Sequence, residues 1–381
     1  MQSGTYVLWL FLIPIVFWGV DWPHIVVKEL DHCDVAMCDF VRHYIPQAHH
    51  VQKGDSTVVG GWFYPPLLAS LLVPFTWLRH PEAGWFMANI LALVSMCWLC
   101  VRHARVSWWI ACICCLQSLP ILHALKWGQI SLILYTLVLW GVFSSHKTRV
   151  LLFTLAGAIK LYPLALIVLD LMNKEYKRLL WAFISFFCMA VFLPFLWMGW
   201  EQSLLLWDSV FIGMRKVRGF ASNGGGQALY PVLIRYFSDG SHTQLQPIDH
   251  GLIGTLPLWL LEILYGVVLS VVIVHTKRAF ACRDEVWRYL MLLVVLHIFL
   301  SPGWHHYMSF LPFVLLWCFQ KQGERFFSSI GLLCILFPVL FLGHVHTLYP
   351  HYSAWGGTFW SVIFAWGSLI RISKMHIARP Q

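Results

Sequence analysis

Charged residues are scarce in this chain of 381 residues. Only 11% of its residues are Asp, Glu, Lys or Arg, whereas 59% are hydrophobic, and a soluble domain carries about 25% charged residues. This scarcity excludes an ordinary soluble protein and indicates a polytopic membrane protein. The sequence also lacks internal repeats, low-complexity tracts and any segment with the composition of a separate soluble domain. A single integral-membrane domain over 1–381 is therefore expected.

Two further absences concern nucleic acid binding and the processing of the N-terminal region. The formal net charge is +9, but no basic stripe with interleaved aromatic residues accompanies it, so no nucleic acid partner is expected. In a membrane protein an excess of Lys and Arg marks cytoplasmic loops instead. The N-terminal region lacks a basic segment and a small-residue cleavage site, so 6–20 is interpreted as a retained first span rather than a removed signal peptide.

Long apolar runs recur along the chain and dictate its fold class. They predict an all-α protein with roughly 10–12 transmembrane or re-entrant helices, since a full crossing needs roughly 20 residues and several runs are shorter. Basic residues mark four cytoplasmic segments, at 173–178, 277–288, 320–325 and 371–379. Two long loops, 21–61 and 200–252, then share the extracytoplasmic face. The second loop contains an amphipathic piece, 203–214, that is expected to lie in the membrane interface.

The orientation of the chain between these two loops has two solutions. The basic clusters at 102–105 and 146–149 would be external if every apolar run crossed the membrane. They would be cytoplasmic if 84–101 and 150–170 were re-entrant. The preference of Lys and Arg for cytoplasmic loops favours the second arrangement.

Carboxylates are concentrated in one polar segment, 21–66. It contains six of the 17 acidic residues of the chain, namely Asp21, Glu29, Asp31, Asp34, Asp39 and Asp55. An acidic loop between two apolar runs is either a solvated linker or an active site. Asp39 is the best general-base candidate, because a carboxylate can accept a proton from a sugar or lipid hydroxyl.

Cysteines fall into two groups. Cys33 and Cys38 lie in the acidic loop and could pair if that loop faces an oxidising compartment. Most of the others lie in apolar runs, where they are expected to be inert small hydrophobic residues. The Cys97-x-x-Cys100 spacing is that of a redox motif, but on an apolar helix this interpretation is weak.

Three polar features interrupt the apolar runs further along the chain. The adjacent His305 and His306 could bind a phosphate or cap a helix turn at the interface, and they lack the further ligands that a metal site needs. Lys160 lies inside an apolar run, where an ionisable residue is costly and marks a functional site, unless its ammonium reaches the interface. Gln129 could hydrogen-bond sugar hydroxyls or simply end a helix.

These landmarks follow one another in an order that resembles a known family. The order is Asp39-Phe40 and Tyr44, then Phe63-Tyr64-Pro65-Pro66-Leu67 with Pro74, Gly128-Gln129, Lys160-x-Tyr162-Pro163, and Ser301-Pro302-x-Trp304-x-His306-Tyr307. It resembles that of glycosyltransferase family 87, which belongs to the GT-C superfamily. Members of family 87 are integral-membrane mannosyltransferases that use polyprenyl-phosphate mannose. The chain departs from the family pattern at His43, where a second aromatic residue is usual, and at Ser131, where Asn is frequent.

The resemblance implies a GT-C fold and a metal-independent, inverting transfer of a hexose, expected to be mannose. The sugar would move from a polyprenyl-phosphate donor to a lipid or glycan acceptor on the extracytoplasmic side, with Asp39 as the base. The leaving group is already a phosphate, so cations and hydrogen-bond donors need only stabilise its charge. The residues expected to bind donor phosphate or sugar are His306, His305, Lys160, Arg42, Tyr44, Tyr64, Gln129, Trp304 and Tyr307. No cofactor is expected, the partners are the lipid-linked donor, the acceptor and membrane lipids, and the expected location is a bacterial inner membrane.

Two functions of other classes fit parts of the same sequence. A secondary transporter places ionisable residues near the midplane of broken helices, and Lys160 and Glu262 could be interpreted in this way. The concentration of acids in a loop and the lack of repeated halves speak against it. A flippase or a non-catalytic scaffold of the same fold would handle a lipid-linked or small anionic substrate without transferring a sugar.

Overall fold

The structure of the protein, a computed structural model, describes residues 37–60, 62–220, 226–237, 252–282, 284–300, 303–321, 325–340, 352 and 355–377. Within this part of the chain every regular element is a helix, and the one backbone pairing of the β type is an isolated bridge between Gly226 and Trp304. The predicted first span at 6–20 and most of the first long loop lie outside the described residues.

The α-helices, in chain order, are α1 (Ile45–Lys53), α2 (Pro66–Leu72), α3 (Pro81–His103), α4 (Trp108–Leu116), α5 (Leu119–Trp127), α6 (Ser131–Val142), α7 (His146–Ile159), α8 (Val168–Met172), α9 (Tyr176–Phe187), α10 (Leu193–Met198), α11 (Trp200–Phe220), α12 (Leu229–Phe237), α13 (Leu258–Ala279), α14 (Glu285–Phe299), α15 (Leu311–Gln320), α16 (Phe326–Leu340) and α17 (Gly357–Ile377). Shorter turns complete the list, with π-helical segments at Phe40–Tyr44 and Cys188–Phe192 and 3₁₀ segments at Val73–Trp77, Tyr162–Ile167 and His305–Met308.

Three helical stretches in the described residues are long and apolar enough to cross a membrane. They are α3, the continuous Tyr176–Met198 stretch, and α13, and the bent pair of α4 and α5 would be a fourth if its 61° bend lies within one span. α13 exposes bulky apolar side chains such as Trp259 and Ile263, as expected of a helix that faces lipid. The predicted all-α polytopic membrane protein is confirmed, while the predicted number of spans stays a prediction.

One end of the helix bundle is held together by paired charges. The Arg149 guanidinium contacts Glu285 Oε1 at 2.6 Å and donates to the carbonyls of Gly141, Val142 and Ser144. At the same end Arg178 pairs with Asp170 at 3.3 Å. The connections around 143–149, 170–178 and 282–288 therefore meet here, and we call this region the paired-charge end.

The segment 146–173 forms a hairpin that rises from the paired-charge end and returns to it. Its first helix contacts Glu285 through Arg149, and Asn173 at its other end accepts a hydrogen bond from Arg288. Its tip lies beside His297, whose ring centroid is 5.7 Å from that of Tyr162. Residues 285 and 297 are twelve positions apart on α14, which corresponds to about 18 Å. The segment 150–170 therefore turns back on itself, as the re-entrant arrangement requires, and its position relative to the membrane stays a prediction.

The prediction that 84–101 is re-entrant was wrong. Trp85, at the start of α3, donates to the carbonyl of Gly128 at 2.7 Å, whereas His103, at the end of α3, stacks on Phe143 beside the paired-charge end. The segment that turns back is 66–77, because Thr76 hydrogen-bonds Gln52. Pro74 and the 3₁₀ segment shorten this run, so it cannot continue as one straight helix. The predicted grouping of 102–105 with 146–149 still holds, since Phe143 joins the two.

The amphipathic helix predicted at 203–214 lies within the longer α11. Gln202 donates to the carbonyl of Asp55, and Ser209 donates to the carbonyl of Trp62. The space at Gly213 is filled by the ring of Phe63, which a Cβ at that position would meet at 2.3 Å. α11 therefore covers Asp55, Trp62 and Phe63, on the end of the molecule opposite the paired-charge end.

Candidate active site

The site begins at a glycine that ends α5. α5 starts at Ser118, whose side chain accepts a hydrogen bond from the Ile121 amide, and ends at Gly128 in the left-handed conformation, with φ +63°. A Cβ at Gly128 would lie 2.9 Å from the Cβ atoms of Met37 and Phe40. Only glycine both adopts this φ readily and lets the turn at 37–40 pack this closely. The turn is thereby held against the start of α6.

Two further contacts hold the same turn in place. The Met37 amide donates to the carbonyl of Lys126 at 2.7 Å, and the ring of Phe40 stacks on Trp85 at 5.2 Å. Cys38 is disulfide-bonded, and its predicted partner, Cys33, lies outside the described residues. Asp39 is therefore presented from a turn that is braced on both sides.

Asp39 is oriented by an amide that two tyrosines hold in place. Gln129 Nε2 donates to Asp39 Oδ2. The hydroxyls of Tyr44 and Tyr64 lie 2.7 Å apart, and they are 3.1 and 3.2 Å from Gln129 Oε1. Tyr44 donates its one hydroxyl proton to Tyr64, and Tyr64 donates to the amide oxygen of Gln129, so the amide nitrogen is directed to the carboxylate. This arrangement leaves Asp39 Oδ1 as the oxygen not engaged by Gln129.

The electrostatics of Asp39 match those of a general base. Burial raises the pKa of Asp39 to about 6, although the positive charges of His43 and Lys160 partly offset the effect. His43 is fixed by a 2.8 Å contact between its Nδ1 and the carbonyl of Gly60. A carboxyl group with a pKa near the working pH combines basicity with a useful population of the charged form.

Lys160 lies at the tip of the 146–173 hairpin, surrounded by tyrosine rings. Its Nζ is 3.8 Å from the ring centroid of Tyr307, 5.0 Å from that of Tyr64 and 5.6 Å from that of Tyr162. The residue is only 8% exposed, and Nζ has no hydrogen-bond partner in the described part of the chain. Aromatic faces stabilise a cation without using its N–H groups. All three N–H groups therefore remain available to an anionic ligand.

The two adjacent histidines have different surroundings. His306 Nδ1 lies 3.2 Å from Nδ1 of His123, and its ring contacts that of Tyr307 at 4.8 Å. His305 Nδ1 instead lies 2.8 Å from the hydroxyl of Thr358 in α17. The structure thus joins His306 to Lys160 through Tyr307, while His305 links the site to α17.

His123 is a site residue that the sequence interpretation missed. It is 4% exposed on α5, one turn before Trp127, on whose indole it stacks at 5.8 Å. The sequence contained a signal for it. The criterion that identified Lys160, an ionisable residue inside an apolar run, applies equally to His123.

Two other predicted residues are placed at the margin of the site. Arg42 is exposed, and across the described ranges no hydrogen bond or ion pair joins it to Asp39. Trp304 is half-buried and forms the bridge to Gly226. Glu262 is exposed on α13, where it has no described ion pair.

The core of the site is therefore a continuous series of contacts. One branch runs from Asp39 through Gln129 and Tyr64 to Lys160, and the other runs from Lys160 through Tyr307 and His306 to His123. Among the described residues no group of three or more His, Cys, Asp or Glu side chains could hold a metal ion. The arrangement combines one base with a cation and imidazoles, which suits the movement of a group that departs as an anion.

The chain was compared with known families, curated proteins and solved structures. The model of glycosyltransferase family 87 matches residues 62–302, which is more than half of the chain. No curated protein and no solved structure matches. The matched region includes Tyr64, Gln129 and Lys160, and the flanking Asp39 and His306 complete the site. The chain belongs to glycosyltransferase family 87.

Proposed function

We propose that the protein transfers a hexose, expected to be mannose, from a polyprenyl-phosphate donor to a lipid or glycan acceptor. Family membership makes it a glycosyltransferase. The proposal for the donor and the mechanism rests on one observation. A half-buried carboxylate, Asp39, is linked through Gln129 and Tyr64 to a buried ammonium, Lys160, yet the ammonium makes no hydrogen bond among the described residues.

Asp39 is assigned to the acceptor. Gln129 engages Oδ2, so Oδ1 can take the proton of the acceptor hydroxyl. The acceptor oxygen then attacks the anomeric carbon of the hexose from the face opposite the phosphate. The bond between that carbon and the phosphate oxygen breaks, and its electron pair remains on the phosphate. The product has inverted anomeric configuration, and the proton lies on Asp39 until solvent removes it.

Lys160 and His306 are assigned to the phosphate. A phosphodiester that loses its sugar becomes a phosphomonoester with an additional negative charge, so the group that departs needs charge stabilisation rather than a strong acid. Lys160 offers three N–H donors from a dry, aromatic setting in which a charge-assisted hydrogen bond is strong. His306 contacts the same Tyr307 ring as Lys160, which supports assigning both groups to one ligand.

We assign the site to the extracytoplasmic face of a bacterial inner membrane. The basic clusters at 146–149, 173–178 and 277–288 adjoin the paired-charge end, where Arg149, Arg288 and their partners meet. Asp39, Gln129 and the Lys160 tip lie at the opposite end of α6 and α7. Because basic loops remain in the cytoplasm, this arrangement supports an active site that faces outward.

The test compares two carboxylates of the same loop. Asp39→Asn removes the proton acceptor while preserving the size of the side chain, and transfer from a polyprenyl-phosphate hexose is expected to fall by at least about 100-fold. Asp55 is the matched control, because it is exposed and its carboxylate only caps a local turn at Thr57 and contacts His50. Asp55→Asn is expected to retain transfer within a factor of about two.

The assay uses purified protein in proteoliposomes, with radiolabelled polyprenyl-phosphate mannose and separation of the products. Both variants should elute as the wild type does on size exclusion. If a correctly folded Asp39→Asn protein transfers sugar at the wild-type rate, Asp39 is not the base.

A further inference from the structure

His123 occupies a position that the mechanism above does not use. Its Nδ1 faces Nδ1 of His306 at 3.2 Å, and both rings are buried. A hydrogen bond between two Nδ1 atoms requires one nitrogen to carry a proton and the other to accept it. The tautomers of the two rings are therefore linked, and fixing one of them fixes the other.

This linkage determines what His306 can offer to a ligand. If His123 Nδ1–H donates, His306 Nδ1 is the acceptor, and the single proton of a neutral His306 ring must lie on Nε2. Nε2 is on the side of the ring away from the shared hydrogen bond. A neutral His306 then points an N–H donor away from His123, which is the form that can hydrogen-bond a phosphate oxygen.

The surroundings hold both rings in place. The indole of Trp127 stacks on His123 with an interplanar angle of 23°, and the His123 and His306 rings are stacked at 5.2 Å. Tyr307 meets His306 edge to face, and the Lys160 ammonium lies 3.8 Å from the centre of the Tyr307 ring. A rotation of His306 would break the contact with His123 and displace the Tyr307 ring that Lys160 contacts.

We propose that His123 is a positioning residue of the donor-phosphate site. Its Nδ1–H donates to His306 Nδ1 and so fixes the tautomer and orientation in which His306 Nε2–H donates to the phosphate of the lipid donor. The proton stays on Nε2 throughout, and His123 itself does not touch the ligand. This inference rests on the proposed function, because it takes a lipid phosphate as the ligand.

The substitution series separates hydrogen bonding from packing. His123→Leu and His123→Met fill the space but cannot donate, whereas His123→Asn retains an amide N–H that can donate to His306 Nδ1. The two non-donating variants are expected to lower kcat by about 10- to 100-fold. Losses of this size are typical when a residue that orients a metal-ligating histidine is replaced. The KM for the acceptor should not change, and His123→Asn should recover most of kcat.

His103→Leu is the matched control, because it is the same substitution at a histidine that stacks on Phe143 beside the paired-charge end. It should retain wild-type kinetics. If His123→Leu does not purify as a folded protein, His123→Met is compared with His123→Asn instead, since the flexible Met side chain adapts to irregular spaces.

The possible outcomes separate a failure of this inference from a failure of the proposed function. The inference holds if the folded non-donating variants lose kcat and the Asn variant recovers it. It is overturned if the wild type transfers sugar from polyprenyl-phosphate mannose while the non-donating variants keep wild-type kcat, or if the Asn variant is as impaired as they are. A wild-type protein that is inactive with this donor would instead overturn the proposed function, so the two failures are distinguishable.

Discussion

The two ends of the helix bundle use buried charge in opposite ways. At the paired-charge end, Arg149 is almost fully buried, yet it contacts Glu285 and donates to three backbone carbonyls. At the other end, Lys160 is equally buried, but aromatic rings surround it and its ammonium has no hydrogen-bond partner in the described residues. Both cations belong to the same hairpin, about 11 residues apart on α7 and its tip, which corresponds to about 16 Å of helix.

This difference indicates that the buried charge at the paired-charge end stabilises the fold, whereas the one at the other end is kept for a ligand. A buried charge without hydrogen-bond partners is costly, so a protein retains one only where a ligand or a reaction completes it. Arg149 fastens the first arm of the hairpin to α14, and Arg288 of α14 bonds Asn173 at the end of the second arm. Lys160 is the group that this anchored hairpin presents. The comparison therefore predicts that changes at the two ends affect different measurements.

The largest effect in this comparison is expected at Lys160. Lys160→Met keeps the length of the side chain and its packing against Tyr307 but removes the charge and all three donors. Transfer from polyprenyl-phosphate mannose should fall by about 10²- to 10³-fold, the range seen when one preorganised donor to developing charge is removed. Thermal unfolding should shift little or rise, because a desolvated cation is replaced by an apolar group.

A smaller effect is expected from pH. Burial raises the pKa of Asp39 to about 6, and only the deprotonated carboxylate accepts a proton. kcat/KM should therefore rise with pH between about 5 and about 7. At pH 5 about one tenth of the enzyme would carry the active base. A rate profile that is flat between pH 5 and 7 would contradict the assignment, and Asp55→Asn should reproduce the wild-type profile.

The smallest effect on catalysis is expected at the paired-charge end. Arg149→Met removes the contact to Glu285 and three hydrogen bonds to carbonyls, which should lower the free energy of unfolding by about 1–3 kcal/mol, since Glu285 is partly exposed and solvent screens the pair. The kcat of the folded protein should stay within a factor of about two of wild type. A loss of kcat as large as that of Lys160→Met, without loss of stability, would remove the distinction between the two ends.

The sequence alone identified several members of the site. Lys160 was evident because an ionisable residue inside an apolar run is unusual, and Asp39 was the acid that precedes Phe40 and Tyr44 in the family order. Tyr64 and Tyr307 were expected in the site with Lys160, but the arrangement of their rings around its ammonium could not be predicted, because they come from distant parts of the chain. Their assembly depends on how the helices pack, which hydropathy does not encode.

The error over 84–101 has a similar cause. Both 62–79 and 84–101 are apolar runs, and the charge rule required only that one run between 61 and 102 fail to cross. The chain turns back at 66–77, where Thr76 returns to Gln52 in α1. His123 was missed although it too is an ionisable residue inside an apolar run, and its contact with His306 is evident only from the fold.

The central claim is that the lipid phosphate binds at the Lys160 ammonium, which has no hydrogen-bond partner in the described residues. A cryo-EM map of the protein with a non-hydrolysable polyprenyl-phosphate sugar analogue tests it most directly. We expect the phosphate density within hydrogen-bond distance of Lys160 Nζ and His306 Nε2, with the anomeric carbon directed toward Asp39. Phosphate density beside Arg149 at the paired-charge end, with the Lys160 ammonium still unoccupied, would contradict the account.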